Sequence, residues 1–446
     1  MEKVISRRKF LKNMAMAGGS TAAGLLLAEY LLERGFSGGL SGTAAAAAAP
    51  LWKAAASKNK IVVVSDLHFG ISDRFAEQVD NRPLFIEFLQ RLQNTTDVRE
   101  LVIAGDFLDE WFLPLDYAPV TDMDGFFYAV ARNNQPVIDA LQAVMAAGIR
   151  LVYVVGNHDM NMETKILDTL LPGIVQPRDA RGLGHYITGD RQEIVIEHCH
   201  RYDPYSAPDR VSNRELCGND ETMYPPGYFY ARMGTSWVMQ QRPRIAKKFP
   251  QLAHRPKAED IDQQGAYIYA KTLEALFQRI TPREGFADKV FNLEAAGFHG
   301  SYSLQDMYPV EQADGTISAP VLFRNFQRSW DERQRLNAMG RRIPFIDAAA
   351  NAQKPDYFYR CARQQYWENP QQAREVVVFG HTHVPDFQQQ GARYYLNTGT
   401  WVDHNSDYPT ATRTFGVIGT GAQNQAALYM YNPDGTLTDL SGIGKK

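Results

Sequence analysis

Four apolar, β-rich runs in this chain each stop at a cluster of oxygen and imidazole donors. Ile61–Val64 leads into Asp66-Leu67-His68, and Leu101–Ala104 into Gly105-Asp106. Leu151–Val155 leads into Gly156-Asn157-His158-Asp159, and Val376–Phe379 into Gly380-His381-Thr382-His383. One such cluster is an ordinary turn. Four of them, each at the exit of a strand-like run, constrain the chain to a sheet system whose strand ends meet at one place, where α/β folds hold ligands. Asp, Asn and His together are the donor set of a two-metal hydrolytic centre.

Between these runs the apolar period changes. Leu84, Phe85, Phe88, Leu89 and Leu92 recur at helical spacing within Pro83–Gln93. A single helix is predicted from about Tyr128 to Ala147, with Val130, Ile138, Leu141, Val144 and Met145 on one face and Gly148 as its C′ residue. Strand and helix alternate, so the first half is α/β with parallel pairing. Glu193–Glu197 is a further β-rich run, ending at His198-Cys199-His200. Strands resume at Glu375–Phe379, Arg393–Asn397, Thr414–Ile418 and Ala426–Tyr431, with short connections that predict hairpins and mixed pairing. The organisation read from this is 1–57 leader and linker, 58–200 first part of the core, 201–370 insertion, and 371–446 second part of the core. The insertion is rich in Tyr, Phe, Arg, Gln and Pro, shows helical patterns near Ala266–Ile280 and Ser329–Met339, and is too long for a plain loop.

The net charge of −3 over 446 residues, with no basic arm, gives no reason to expect a nucleic-acid partner. Cys199, Cys217 and Cys361 have no zinc-ribbon spacing, which leaves one Cys217–Cys361 bridge or three free thiols. At the N-terminus, Ser6-Arg7-Arg8-Lys9-Phe10-Leu11-Lys12 precedes a weakly apolar stretch, Met14–Leu32, and an alanine run, Ala44–Ala49, before Pro50. This order resembles a twin-arginine export signal. It implies the twin-arginine machinery as a partner and a periplasmic or extracellular location. Glu29, Glu33 and Arg34 interrupt the apolar stretch, so no permanent membrane span is expected.

Each donor has a chemical role open to it. Asp66 and His68 lie two apart at a strand exit and can face one metal. Asp106 can bridge two cations, Asn157 offers a neutral carbonyl oxygen, and His198, His381 and His383 offer imidazoles. The ordered set DLH, GDFLDE, GNHD, a strand-terminal His and GHTH resembles the calcineurin-like metallophosphoesterase superfamily. The resemblance implies a four-layer αββα sandwich with the metals at one edge. It implies that Asp66, His68, Asp106 and His383 hold one divalent metal, and that Asp106, Asn157, His198 and His381 hold a second. Mn, Fe or Zn suits these ligands. It further implies attack on phosphorus by a hydroxide held between the metals. The resemblance makes His158 the group that stabilises the transition state or protonates the leaving group, with Asp159 orienting its ring. Cys199 stands where the family often has glycine, so His200 is the competing imaginable ligand and otherwise faces substrate or supports the ligands from behind.

The function expected is an exported, binuclear-metal phosphoric ester hydrolase acting on a small phosphorylated substrate. A pyrophosphatase on a nucleotide-linked lipid or sugar, similar to the UDP-diacylglucosamine hydrolase branch, is one alternative. A phosphate-binding scaffold without turnover is the other. Asn397-Thr398-Gly399-Thr400-Trp401 reads as support behind the last histidines. The aromatic clusters Tyr224–Tyr230 and Tyr357–Tyr359 read as core packing, Asp109 and Glu110 as surface or supporting acids, and Arg201, Arg210 and Arg232 as candidates for a second phosphate.

Overall fold

The computed structural model describes residues 48–442 apart from 219–220, 246–248, 353, 355 and 406–407. The paired arginines and the stretch Met14–Leu32 lie outside the described residues. Along the chain the first strands are β1 (Lys60–Val64), β2 (Val98–Ala104), β3 (Arg150–Val154), β4 (Tyr186–Thr188) and β5 (Ile194–Ile196). A short hairpin, β6 (Phe291–Leu293) and β7 (Gly300–Tyr302), follows. The chain then forms β8 (Val376–Phe379), β9 (Asp386–Gln390), β10 (Arg393–Asn397), β11 (Thr414–Gly419), β12 (Gln425–Tyr431) and β13 (Leu437–Asp439).

Two sheets result. The first has the order β13-β12-β11-β1-β2-β3, with β1, β2 and β3 parallel and β11, β12 and β13 added antiparallel. The second has the order β4-β5-β8-β10-β9, in which β5, β8 and β10 are parallel. The sheets face each other through one buried cluster. Ile61, Val63, Val102 and Val154 come from the first sheet, and Ile196, Val378 and Leu396 from the second. These residues alternate along their strands, as the period of two in a pleated strand requires. Every second residue of the runs Ile61–Val64, Leu101–Ala104 and Val376–Phe379 faces this layer, and the others face outward and are also buried, which explains why the runs are continuously apolar.

Helices cover the outer faces and make the four-layer sandwich. The helix Arg82–Gln93 starts with Pro83 in its first turn and buries Phe85, Phe88, Leu89 and Leu92. Phe85 and Phe88 meet Trp401 at ring separations of 4.8 and 5.1 Å, and Phe88 meets Phe415 of β11 at 5.0 Å. Beyond the second sheet, Tyr359 packs on Tyr395 of β10 at 5.4 Å. The single helix expected over 128–147 is two helices, Met123–Asn133 and Gln135–Ala146. Pro136 is the physical reason. It has no N–H to give to residue 132 and its ring crowds that carbonyl. Asn134 takes the corner and donates to Gly70 O and Val130 O at 3.0 and 2.8 Å.

By chain contacts the described residues form two compact units. One holds Pro114–Thr121 and Arg201–Phe358, and the other holds the remainder, including both sheets of the sandwich. The first is mostly helical, with helices Pro226–Met239, Ile261–Arg279 and Phe326–Leu336 and the β6–β7 hairpin. Its aromatic residues are packed: Tyr224 stacks on Tyr228 at 3.8 Å, and Arg232 donates to Pro114 O at 2.8 Å. In the sandwich unit, residues 48–55 are bonded to the core. Leu51 is buried and its N–H donates to Thr95 Oγ1, while Trp52 Nε1 and Ala55 N donate to Asp97. None of the three cysteines, all among the described residues, is in a disulfide bond. No described helix is long and apolar enough to cross a membrane.

Trp401 joins the helix layer to the sheet, since its Nε1 also donates to Thr414 O at 2.9 Å and its side chain has no exposed surface. Trp401→Ala is therefore expected to lower unfolding stability by about 3–5 kcal/mol, read from a urea transition with unchanged slope.

Candidate metal centre

The C-terminal ends of five parallel strands deliver the donors. β1 ends before Asp66 and His68, β2 before Asp106, β3 before Asn157 and His158, β5 before His198, and β8 before His381 and His383. All belong to the sandwich unit. Each of these residues is at most 4% exposed. The turns are tight. Gly105 has φ +95°, and a Cβ there would fall 2.3 Å from His198 Nδ1. A Cβ on Gly156 would fall 2.1 Å from Asp106 Oδ1. Neither position accepts a side chain, so the glycine before each donor is a condition of closure.

Two ligand sets meet at Asp106. On one side, His68 Nε2 is 3.6 Å from Asp106 Oδ2 and 2.9 Å from His383 Nε2, and His383 Nε2 is 3.3 Å from Asp66 Oδ1. On the other side, His198 Nε2 is 3.1 Å from Asp106 Oδ2 and 3.0 Å from Asn157 Oδ1. His381 Nδ1 is also 3.0 Å from Asn157 Oδ1. The seven residues expected as ligands are thus brought into one cluster. His200 lies further back, its ring centre 5.5 Å from that of His198 and 6.5 Å from that of His381. Cys199 turns its Sγ toward Gly380 O at 3.5 Å.

The protons in this cluster decide whether a cation fits. Asp109 is ionised, because burial works to raise it but the charges and hydrogen bonds of His158 and His68 hold it at about 2. An ionised carboxylate only accepts, so His68 carries its proton on Nδ1, 2.6 Å from Asp109 Oδ2, and aims the Nε2 lone pair at the centre. His198 likewise donates Nδ1–H to Ala104 O at 2.8 Å, and its Nε2 faces two oxygens. Lone pairs held against carboxylate and carbonyl oxygens at about 3 Å repel unless positive charge lies among them. The same demand displaces His198. Burial pulls it down, yet Asp106 and Asp66 raise it to about 9. Asp106 is pushed up by burial but held well below the usual range by His198 and His158. The residues fit a pair of divalent cations. Asp66, His68 and His383 form one group of three whose ligand atoms lie within 4.8 Å of each other, and Asp66, Asp106 and His198 form another.

The ring of His158 lies beside the His68 set, edge to face with His68 at 4.6 Å and in a third group with His68 and Asp109, and here the structure corrects the sequence reading. Asp159 does not orient it. The Asp159 carboxylate accepts Phe107 N–H at 2.7 Å and Gly156 N–H at 2.6 Å, so it braces two turns. Burial and the Asp106 charge push it up to about 7. Asp109 takes the orienting place, with its Oδ2 2.7 Å from His158 Nδ1. Burial lowers His158, but Asp109 and Asp106 outweigh it and raise the imidazole above its ordinary value. Asp109 sits in GDFLDE, three residues past Asp106, and that spacing was the available signal.

Residues 59–223 match the family described as calcineurin-like phosphoesterase. That segment contains Asp66, His68, Asp106, Asn157, His158 and His198, and the two histidines of GHTH lie beyond it. No curated protein matches the chain. Among solved structures, a dimetal phosphatase from Danio rerio is similar at 11% identity, the match covering 83% of this chain and 95% of that one with a TM-score of 0.32. A phosphopantetheinyl hydrolase from Mycobacterium tuberculosis is similar at 13% identity, covering 79% and 90%, with a TM-score of 0.24.

Because Asp109 fixes the proton on His68, Asp109→Asn is expected to weaken metal binding roughly 10–100-fold. Titration of Mn²⁺ or Zn²⁺ into the chelated protein against a competing chelator measures this, and unchanged affinity would contradict the assignment.

Proposed function

We propose that this metal-dependent phosphoesterase hydrolyses a phosphoric ester bond of a small substrate, using two divalent cations held by Asp66, His68, Asp106 and His383 on one side and by Asp106, Asn157, His198 and His381 on the other. The observation that carries this reading is the buried convergence of both ligand sets on Asp106, with His158 beside them but bonded to Asp109. When bound, such cations place net positive charge against a phosphate and lower the pKa of water. Mn, Fe or Zn suits the oxygen and imidazole donors.

The residues themselves supply the rest. Asp109 accepts the Nδ1 proton of His158, which leaves Nε2 as the end of the ring that can meet substrate. The raised affinity of His158 for a proton suits donation from Nε2–H to the leaving oxygen as the P–O bond breaks. Burial of the ligands keeps bulk water from competing with the phosphate for them.

Metal-loaded protein assayed on p-nitrophenyl phosphate, bis-p-nitrophenyl phosphate and a nucleoside diphosphate sugar tests the reading. Turnover on one of them supports ester or pyrophosphate hydrolysis and ranks the two. None at all, with both metals bound, would leave a scaffold. His158→Ala is expected to reduce turnover about 10²–10⁴-fold with metal content unchanged by elemental analysis. Parallel loss of metal would make His158 a ligand.

We also propose export through the twin-arginine route, supported by Arg7-Arg8, Phe10-Leu11 and the alanine run. Replacing Arg7 and Arg8 together by Lys is expected to shift the protein from the periplasmic to the cytoplasmic fraction of a host with that pathway. An identical distribution of both forms argues against export.

A further inference from the structure

The loop after Asp106 is tied to His158 at more points than a supporting acid needs. Glu110 N donates to His158 O at 2.9 Å, which joins the two backbones. Asp109 Oδ1 accepts the backbone N–H groups of Trp111 and Phe112, both at 2.7 Å, while its Oδ2 accepts His158 Nδ1. One carboxylate therefore registers two aromatic residues against one imidazole. The rings meet accordingly. Trp111 stacks on His158 with centres 4.4 Å apart and planes at 29°, and Phe112 packs on it at 4.5 Å and 50°. Both aromatic side chains are buried.

The hydrogen bond from Nδ1 does not by itself fix the ring. Asp109 Oδ2 is shared with His68 Nδ1, and the His68 and His158 rings meet edge to face at 4.6 Å. A ring held at one atom can still tilt about that atom, and tilting moves Nε2, the atom furthest from the pivot. A flat indole against the imidazole face removes that freedom. We infer that Trp111, aided by Phe112, is a positioning residue that holds the plane of His158 so that Nε2 points at the leaving oxygen. This rests on the phosphoesterase reading above. Truncating the indole leaves the turn in place, because the turn is held through the backbone N–H of residue 111.

The test compares Trp111→Ala and Trp111→Phe in the metal-loaded protein. Hydrogen–deuterium exchange at the imidazole C2 of each histidine, read by mass spectrometry, reports ring mobility and access without turnover. W111A is expected to speed exchange at His158 while leaving His185 unchanged, to keep both metals, and to lower kcat roughly ten- to a hundredfold with KM nearly constant. W111F is expected to restore both exchange and kcat toward wild type. If W111A is insoluble, Trp111→Leu, which keeps apolar volume without a flat face, is read in the same way. Wild-type exchange at His158 in W111A, wild-type kcat, or loss of metal in step with kcat would each overturn the inference. A wild-type protein inert on every phosphate ester would instead sink the phosphoesterase reading, and the exchange comparison would still judge the clamp.

Discussion

The charge of Asp106 is the constraint to which the rest of the sandwich answers. Its side chain is 2% exposed, lies within 3.6 Å of imidazole nitrogens from both sheets, and accepts His158 N–H at 2.9 Å. A buried carboxylate is costly unless it is surrounded by donors or cations. The fold meets that demand by ending five strands at one place. It pays in backbone geometry: Asp66, His68, Asp106, His381 and His383 all have φ between 47° and 73°. Left-handed backbone at residues with a Cβ costs roughly 1–2 kcal/mol each, and the whole net stability of a domain is only about 5–15 kcal/mol. Such a cluster persists only where the surroundings over-determine it.

Those surroundings are visible. Behind Asp66, Ser65 Oγ donates to Oδ2, and the same hydroxyl lies 2.6 Å from Thr398 Oγ1. His381 N–H donates to the Asp66 carboxylate at 2.9 Å, and Thr400 Oγ1 donates to Asp66 O at 2.8 Å. Asn397 Nδ2 donates to Gly380 O at 2.7 Å, and Asn405 Nδ2 donates to His383 O and Ala411 O. Asn397-Thr398-Gly399-Thr400 is thus a polar brace that fixes two strand exits at once, and Trp401 anchors the brace in the apolar layer.

The sandwich was legible because its signals are local. Continuous apolar runs give buried strands, and donors directly after them give strand exits, so Asp66, Asp106, Asn157 and His381 fall where their neighbours in sequence put them. What depended on distant partners was not legible. Asp159 follows His158 directly, yet its carboxylate turns to the N–H groups of Phe107 and Gly156, while Asp109 reaches the imidazole from another turn. The corner at Asn134 was missed because the apolar period runs across it unbroken and only Pro136 marks the break. Strand β9, Asp-Phe-Gln-Gln-Gln, has one buried apolar side chain and lies at a sheet edge, so hydrophobic pattern alone gives it no weight.

Asp109 shows why a second carboxylate is needed beside the ligands. Its Oδ2 accepts from His68 and from His158, so one charge sets the tautomer of the first imidazole and the orientation of the second. Its Oδ1 holds the turn that carries Trp111 and Phe112. Four hydrogen bonds on one buried carboxylate explain why it stays ionised near a site already rich in negative charge. They also couple His68 to His158. A displacement of His68 must move the acceptor that orients His158, and a shift of the aromatic turn must reach His68 through the same two oxygens. His158 and His68 are therefore arranged by shared atoms rather than by parallel, independent supports, and a change at either one is felt at the other.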